Sequence, residues 1–395
     1  MSKSSQKYLD MMSKIQDNLL EFIDDEANEE ENFQNLTFLF NEQKIRENIN
    51  YLKSLLHLLV NVANNHFRGT NFFDKIEKII RYFQNEIKKY YSNSEIYDIF
   101  KSNRRILLFI IEEKMMIIDK IMLGLSSPMS NYSDYLAPEI EPINNNKQSR
   151  SKFSFFYKKP KEIDSKSFYE DRKIGENPDY ICKLIRDDSV EEFITYVNKN
   201  NYPLNSIITY SIFETNPYLI SESCKKAYGT KKDAKNGISL IEYSTFYGSI
   251  QIFNYLRMNG VELTPSLWTY TIHGKNAEII HLLEENHIEP EDNTYQECLE
   301  ESIKCHHNDF AHYFQDNYIR NQDDFLENEN GYLHKLFILA LKYHNFALIS
   351  NDFINPASFF ELCKYDYCSL VDILLKGNDV NVNEIRIFTQ ISLFN

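Results

Sequence analysis

The chain has 395 residues and a formal net charge of −15. A net-acidic chain repels the phosphate backbone, so general nucleic-acid binding is disfavoured. Ten Gly and ten Pro in so long a chain argue for helices over a turn-rich β fold, and a hydrophobic content of 43% supplies a sizeable core. The chain opens Met1-Ser-Lys-Ser-Ser-Gln-Lys7 without an apolar run behind it, so no secretory signal is expected. The densest apolar stretch, 106–111, meets Glu112, Glu113 and Lys114 at once. That is well short of the roughly 20 apolar residues that span a bilayer, so no membrane span is expected. The cysteines at 182, 224, 298, 305, 363 and 368 are scattered and read as reduced thiols. A cytoplasmic location follows as an expectation, with the nucleus left open.

Residues 1–125 read as an N-terminal helical region. Ile45, Ile49, Leu52, Leu56 and Leu59 recur at helical spacing, as do Phe72, Ile76, Ile79 and Phe83. The acidic run from Asp24 to Glu31 reads as a solvated connector after an opening amphipathic segment. Ser94–Phe100 leads into a further helix expected over Arg104–Leu123. Together these segments suggest an antiparallel bundle.

Residues 126–176 read as an irregular linker. Pro128, Pro138, Pro142 and the Asn144–Asn146 run break any periodicity. Phe153, Phe155, Phe156 and Tyr157 suggest that part of it docks on a neighbour. The basic patch Lys158, Lys159, Lys161 reads as solvated.

Residues 177–395 carry paired helical patterns. Pro178 suits a helix start, and Phe193 lies 59 residues, about two periods, before Ile252. One copy runs from Ser239 to Leu256 and a second from Ser266 to Leu283. Each first helix has a small residue where backbones approach: Ser244, Thr271, Ser302, Ala340 and, less clearly, Cys363. Each second helix has an apolar pair: Ile252/Phe253, Ile279/Ile280, Phe310/Ala311, Leu348/Ile349 and Leu370/Val371, the last with a register open by one. The pairs are separated by 27, 31, 38 and 22 residues. Tandem units of this size indicate a solenoid, in which each unit buries its apolar face only against its neighbours.

These units resemble the ankyrin repeat. Ser239-Leu-Ile-Glu242 and Ser244-Thr245 stand at the family's first helix, Gly248 at its glycine, and Gln251-Ile-Phe253 and Tyr255-Leu256 in its second helix. Leu374-Leu-Lys-Gly-Asn-Asp-Val-Asn381 is similar to the family's repeat ending. The Thr-Pro-Leu-His signature is absent in every unit, so the hydrogen bonds it makes must be replaced. The longer string through Trp268, His281–Asn286 and Ile303–Asp309 is similar to an ankyrin-related domain of unknown function expanded in single-celled protist parasites. This likeness covers residues 177–320 strongly and the flanks weakly. It implies an α-solenoid and an intracellular protein, and it carries over no catalytic residue and no ligand.

Three features could carry chemistry. Cys298, Cys305, His306, His307 and His312 lie close in sequence and are zinc-ligand types, but no pair has finger spacing. The repeat register places Cys298 on the packed face and Cys305 at a turn, so no metal is expected. Gly229–Gly237 lacks the order of a phosphate loop and reads as a surface loop. Acidic pairs such as Glu284-Glu285 read as solvent-facing. Trp268 takes the position of Ile241 in the previous unit, which favours burial over an interface role. Lys225-Lys226 and Lys231-Lys232 could meet an acidic partner or solubilise the array.

The sequence therefore predicts an all-α protein: an N-terminal helical bundle-like region, a linker, and a C-terminal ankyrin-like α-solenoid of five or six units. The expected function is a scaffold or adaptor that binds an unidentified protein partner on its concave face. The alternative is a structural or oligomerisation role for the N-terminal amphipathic helices. No catalytic, cofactor or metal residue is expected, and binding residues and oligomeric state stay open.

Overall fold

The computed structural model describes residues 3–119, 134–144, 166–221, 237–320 and 329–377. In chain order the helices are α1 (Lys3–Asp24), α2 (Glu29–Glu42), α3 (Ile49–Asn65), α4 (Phe72–Tyr82), α5 (Gln84–Tyr90), α6 (Asn93–Phe100), α7 (Arg104–Glu112), α8 (Ala137–Asn144), α9 (Lys166–Ile174) and α10 (Tyr180–Arg186). They continue as α11 (Val190–Asn200), α12 (Leu240–Phe246), α13 (Ile250–Met258), α14 (Leu267–Gly274), α15 (Ala277–Glu285), α16 (Gln296–Lys304), α17 (Asn308–Phe314), α18 (Glu329–Lys342), α19 (Phe359–Lys364) and α20 (Cys368–Lys376). Among the described residues the only strands are β1 (Ile207–Ile208) and β2 (Ile238–Ser239), which pair antiparallel. The protein is thus mostly helical, as its low Gly and Pro content predicts.

The chain divides into two compact units, Met1–Asn61 with Asn308–Asn395, and Val62–His307. This division differs from the segments 1–125, 126–176 and 177–395 that composition suggests. Composition marks where a chain turns polar, whereas compactness follows which apolar faces meet.

In the first unit, α1 carries Leu9, Met12, Ile15, Leu19 and Phe22 at helical spacing, and all five are buried. They pack against α2, α20 and the 3₁₀ turn Phe346–Leu348. The acidic run after α1 is not only a connector. Asp25 accepts from the Ala27 and Asn28 N–H groups at 2.8 and 3.2 Å. Glu29, Glu30 and Glu31 form the first turn of α2, where the helix dipole favours negative charge.

In the second unit, α7 ends at Glu112, earlier than the apolar run to Leu123 suggests. Lys114 adopts a φ of 54°, and the Met115 N–H donates back to the Ile110 carbonyl at 2.9 Å. This left-handed cap closes the helix. The stretch expected to be an irregular linker contains α8 and α9. Pro138 is tolerated there because it sits in a first turn. Arg172 holds the pair together: its guanidinium donates to both Glu139 carboxylate oxygens at 2.7 and 2.9 Å and to the Tyr135 carbonyl at 3.1 Å. Phe168 packs with Ala137 and Phe213 beside this bridge. The aromatics at 153–157, the Lys158–Lys161 patch and both lysine pairs at 225–232 lie outside the described residues, as does all but the end of the 229–237 loop.

From α10 onward the second unit is built of helical hairpins: α10 with α11, α12 with α13, and α14 with α15. First helices pack in chain order, α10 on α12, α12 on α14 and α14 on α16, and α11 packs on α13. Each first helix ends in the same way. Asp188, Gly248, Lys275 and His306 have φ of 45°, 65°, 50° and 60°. The next residue then reaches back: Ser189 N–H to Leu184 O at 3.0 Å, Ser249 to Ser244 at 2.9 Å, and His307 to Ser302 at 3.0 Å. In the other unit His344 and Asp366 take φ of 53° and 66°, with Asn345 bonded to Ala340 at 2.9 Å and Tyr367 to Leu362 at 2.8 Å.

These left-handed residues set a common register along the chain. Ser244, Thr271, Ser302 and Ala340 each precede one by a helical turn, and all are fully buried. The apolar pairs each begin one turn after it. In this register the fifth small-residue position belongs to buried Leu362 and not to Cys363, which is exposed. Leu348 and Ile349 lie at the end of a 3₁₀ turn rather than in a second α-helix.

Candidate functional site

After the left-handed caps at Gly248, Lys275, His306 and Asp366, the next residue's side chain carries a hydrogen bond to the preceding hairpin. The Ser249 hydroxyl donates to the Ile185 carbonyl. The Asn276 side chain donates to the Gly248 carbonyl at 3.0 Å, and His307 Nδ1 donates to the Ile272 carbonyl at 2.8 Å. In the other unit Tyr367 does the same to the Leu341 carbonyl at 3.1 Å. Ile185, Ile272 and Leu341 occupy one register position, three residues before the cap. A second link sits at the helix starts. Ser239 and Glu242 form a capping box, and the second Glu242 oxygen, Oε1, accepts from Ser266 at 2.9 Å.

Two features stand out along the first helices. One is a groove of about 480 Å³ between α14 and α16, lined by Tyr218, Trp268, Tyr270, Glu297, Glu300 and Glu301, with Glu291 at its edge. Its carboxylates crowd one another. Burial, followed by the charges of Asp292, Glu291, Glu300 and Glu301, raises the Glu297 carboxyl above its ordinary value. Trp268 is fully buried, as its repeat position predicts. Its indole N–H donates to the Ile288 carbonyl at 2.7 Å, and its ring meets Tyr295 edge to face at 5.1 Å.

The other feature lies behind the groove. His273 from α14 meets Glu301 and Cys305 from α16, and their donor atoms all lie within 4.8 Å of one another. Cys305 Sγ is 3.4 Å from His273 Nδ1 and 3.9 Å from Nε2. Nε2 is also 3.2 Å from Glu301 Oε2, an ion-pair distance without hydrogen-bond alignment. Lys304 holds the other carboxylate oxygen, Oε1, at 3.0 Å. The imidazole stacks on Phe246 at 4.9 Å and tilts against Tyr218 at 4.3 Å. Burial lowers the His273 pKa against the opposing pull of Glu301, and burial pushes the Cys305 thiol well up. Burial alone would raise Glu301; its His273 and Lys304 partners outweigh that and hold the carboxyl at about 2.

Among the cysteines and histidines weighed in the sequence, the fold brings only Cys305 into this cluster. Cys298 is buried on the packed face of α16, as the register predicts. His307 turns to the Ile272 carbonyl and meets the His66 ring at 4.8 Å. The sequence reading did not single out His273 or Glu301. A signal was available: Glu301 and Cys305 are one helical turn apart, and His273 sits two residues before its cap as Cys305 sits one before its own. Packed hairpins bring such positions together.

Comparison of the chain with family models, curated proteins and solved structures returned no match. Among the described residues no helix is long and apolar enough to cross a membrane.

Proposed function

We propose that this protein is an interaction scaffold whose hairpins are degenerate ankyrin-like repeats, and that it binds a protein partner on the surface formed by first helices. The observation that carries this reading is the row α10, α12, α14, α16, which opens into the acidic, aromatic groove beside Trp268. Recognition on such a surface requires shape and charge complementarity and no bond chemistry. Glu291, Glu297 and Glu300 beside Tyr218 and Tyr270 favour a partner segment rich in Lys or Arg, whose cations pair with carboxylates and lie over aromatic rings. Lys304 already rests 5.5 Å from the Tyr218 ring centroid, which is the contact such a residue would make. The reading assigns no catalytic residue and no cofactor.

The alternative, oligomerisation through the N-terminal amphipathic helices, needs an apolar face left open. The apolar stripe of α1 is buried within its own unit, while Phe38 on α2 is exposed.

The test is affinity capture from the native cell with the full chain and with a Glu297→Lys/Glu300→Lys variant. Both positions are solvent-accessible, so the variant should keep its fold, which circular dichroism checks. The reading expects a captured protein lost in the variant and eluted by salt, since partly exposed charge pairs are screened. Equal capture by both chains, insensitive to salt, counts against this surface.

A further inference from the structure

We propose that His273, Glu301 and Cys305 form a binding site for a zinc ion, independent of any partner in the groove. The three side chains offer nitrogen, oxygen and sulfur, the donor set that zinc accepts and that magnesium and calcium do not. They come from two adjacent helices, with Glu301 and Cys305 one turn apart on the same face of α16. Their separations suit a tetrahedral ion. Bonds of about 2.0 Å to nitrogen and oxygen and about 2.3 Å to sulfur imply edges of about 3.3 Å for N–O and about 3.6 Å for N–S. The distances from His273 Nε2 are 3.2 Å to Glu301 Oε2 and 3.9 Å to Cys305 Sγ.

Two further observations point inward. Glu301 Oε2 is buried without a hydrogen bond, while Lys304 occupies Oε1 and leaves the carboxylate one oxygen for a metal. A thiolate and a carboxylate also match the charge of a divalent ion, which lowers the cost of burying it. Glu301 lines the groove as well, which provides a route for the ion. On binding, the Cys305 thiol proton leaves to solvent as the Zn–S bond forms, and a water completes the coordination. The ion would tie α14 to α16 and so tighten the stack.

The experiment uses the full chain, stripped with a chelator and titrated with Zn²⁺ alone and then with Co²⁺. One equivalent of zinc per chain is expected, with a raised Tm. Cobalt should give tetrahedral d–d bands and a thiolate-to-metal charge-transfer band. Cys305→Ser should abolish the charge-transfer band, and His273→Gln should weaken zinc binding by about 100-fold or more. Cys298→Ser, at a buried thiol outside the cluster, should change neither. Failure to take up one equivalent overturns the proposal, as does uptake unchanged in Cys305→Ser and His273→Gln. If those variants do not fold, Glu301→Gln decides: lost uptake supports the site and unchanged uptake removes it.

Discussion

Gln16 and Asn345, 329 positions apart, are joined inside the first unit: the Gln16 side-chain amide donates to Asn345 Oδ1 at 2.9 Å. Its carbonyl oxygen accepts from the Phe346 N–H at 2.7 Å. Both side chains are fully buried. Asn345 passes the connection on by donating to Asn308 at 2.8 Å. A polar residue on the apolar face of α1 thus satisfies the backbone of a tight turn that has no helix of its own to do so.

Replacing Gln16 with Ala removes the donor to Asn345 Oδ1 and leaves the Phe346 N–H with the His344 carbonyl at 3.1 Å. Loss of a buried hydrogen-bond partner costs about 1–3 kcal/mol, which is the loss expected for the variant. The urea midpoint of unfolding measures this. Gln16→Glu keeps the acceptor for Phe346 but loses the donor to Asn345, so it should also destabilise. A midpoint unchanged in Gln16→Ala would show that the turn is satisfied by other means.

Gly274 and Gly248 hold neighbouring hairpins at backbone contact. A Cβ on Gly274 would run into the Thr245 carbonyl oxygen, and one on Gly248 into the Gly274 carbonyl oxygen. Gly274→Ala should therefore cost about 1–3 kcal/mol through overpacking, although the new residue suits a helix. Gly260→Ala is the comparison. Its φ is 84° but a Cβ there meets nothing within 4 Å, so only the backbone strain of about 1 kcal/mol applies. Thermal unfolding should rank Gly274→Ala below Gly260→Ala; the reverse order would mean that the hairpins can separate freely.

Asp188 caps a helix that is not its own. Its carboxylate accepts from the Gln251 and Ile252 N–H groups, both at 3.0 Å, at the start of α13. Asp188→Ala should cost about 1–2 kcal/mol from the lost cap, on top of placing Ala at positive φ. Asp188→Asn tolerates that φ and retains one acceptor, so it should lose less. Hydrogen exchange at the Gln251 and Ile252 amides reads the effect directly, with faster exchange expected in the Ala variant.

Asp366 should make the protein acid-sensitive. It accepts from His57 at 3.1 Å and pairs with Lys53 at 2.6 Å. The His57 hydrogen bond, opposed by partial burial and helped by Lys53, holds its carboxyl well below the ordinary 3.8. Its folded pKa is depressed, so the stability it contributes is complete above the ordinary 3.8 and is lost as pH falls from there through the folded value. Asp366→Asn should be less stable at neutral pH and should show a shallower loss of stability from pH 4 downward. Chemical unfolding across that range is the measurement. Parallel curves for the two proteins would assign the acid sensitivity to other carboxyl groups.

The sequence by itself determined the helical class and the spacing of helix faces. Ile252/Phe253 and Ile279/Ile280 are spaced as helix faces must be, and the small residues Ser244 and Thr271 lie where only small side chains allow two helices to approach. Both are local facts, written in neighbouring residues. The left-handed caps were partly legible: Gly248 announces one, but Asp188, Lys275 and His306 do not look like glycine positions. At Asp188 and His306 the back-bond of the next residue, Ser189 to Leu184 and His307 to Ser302, offsets the modest strain of positive φ, and after Lys275 the Asn276 side chain bonds the Gly248 carbonyl. Only the tertiary structure decided the rest. Gln16 and Asn345 carry no mark of each other, because a buried polar pair is recognisable only once both partners are in place. The helices at 137–144 and 166–174 depend on Arg172 meeting Glu139, a bridge that proline-rich composition conceals. His273, Glu301 and Cys305 become a cluster only when two hairpins stack in register, since side chains 28 to 32 positions apart are brought within reach by packing and not by the helix that bears them.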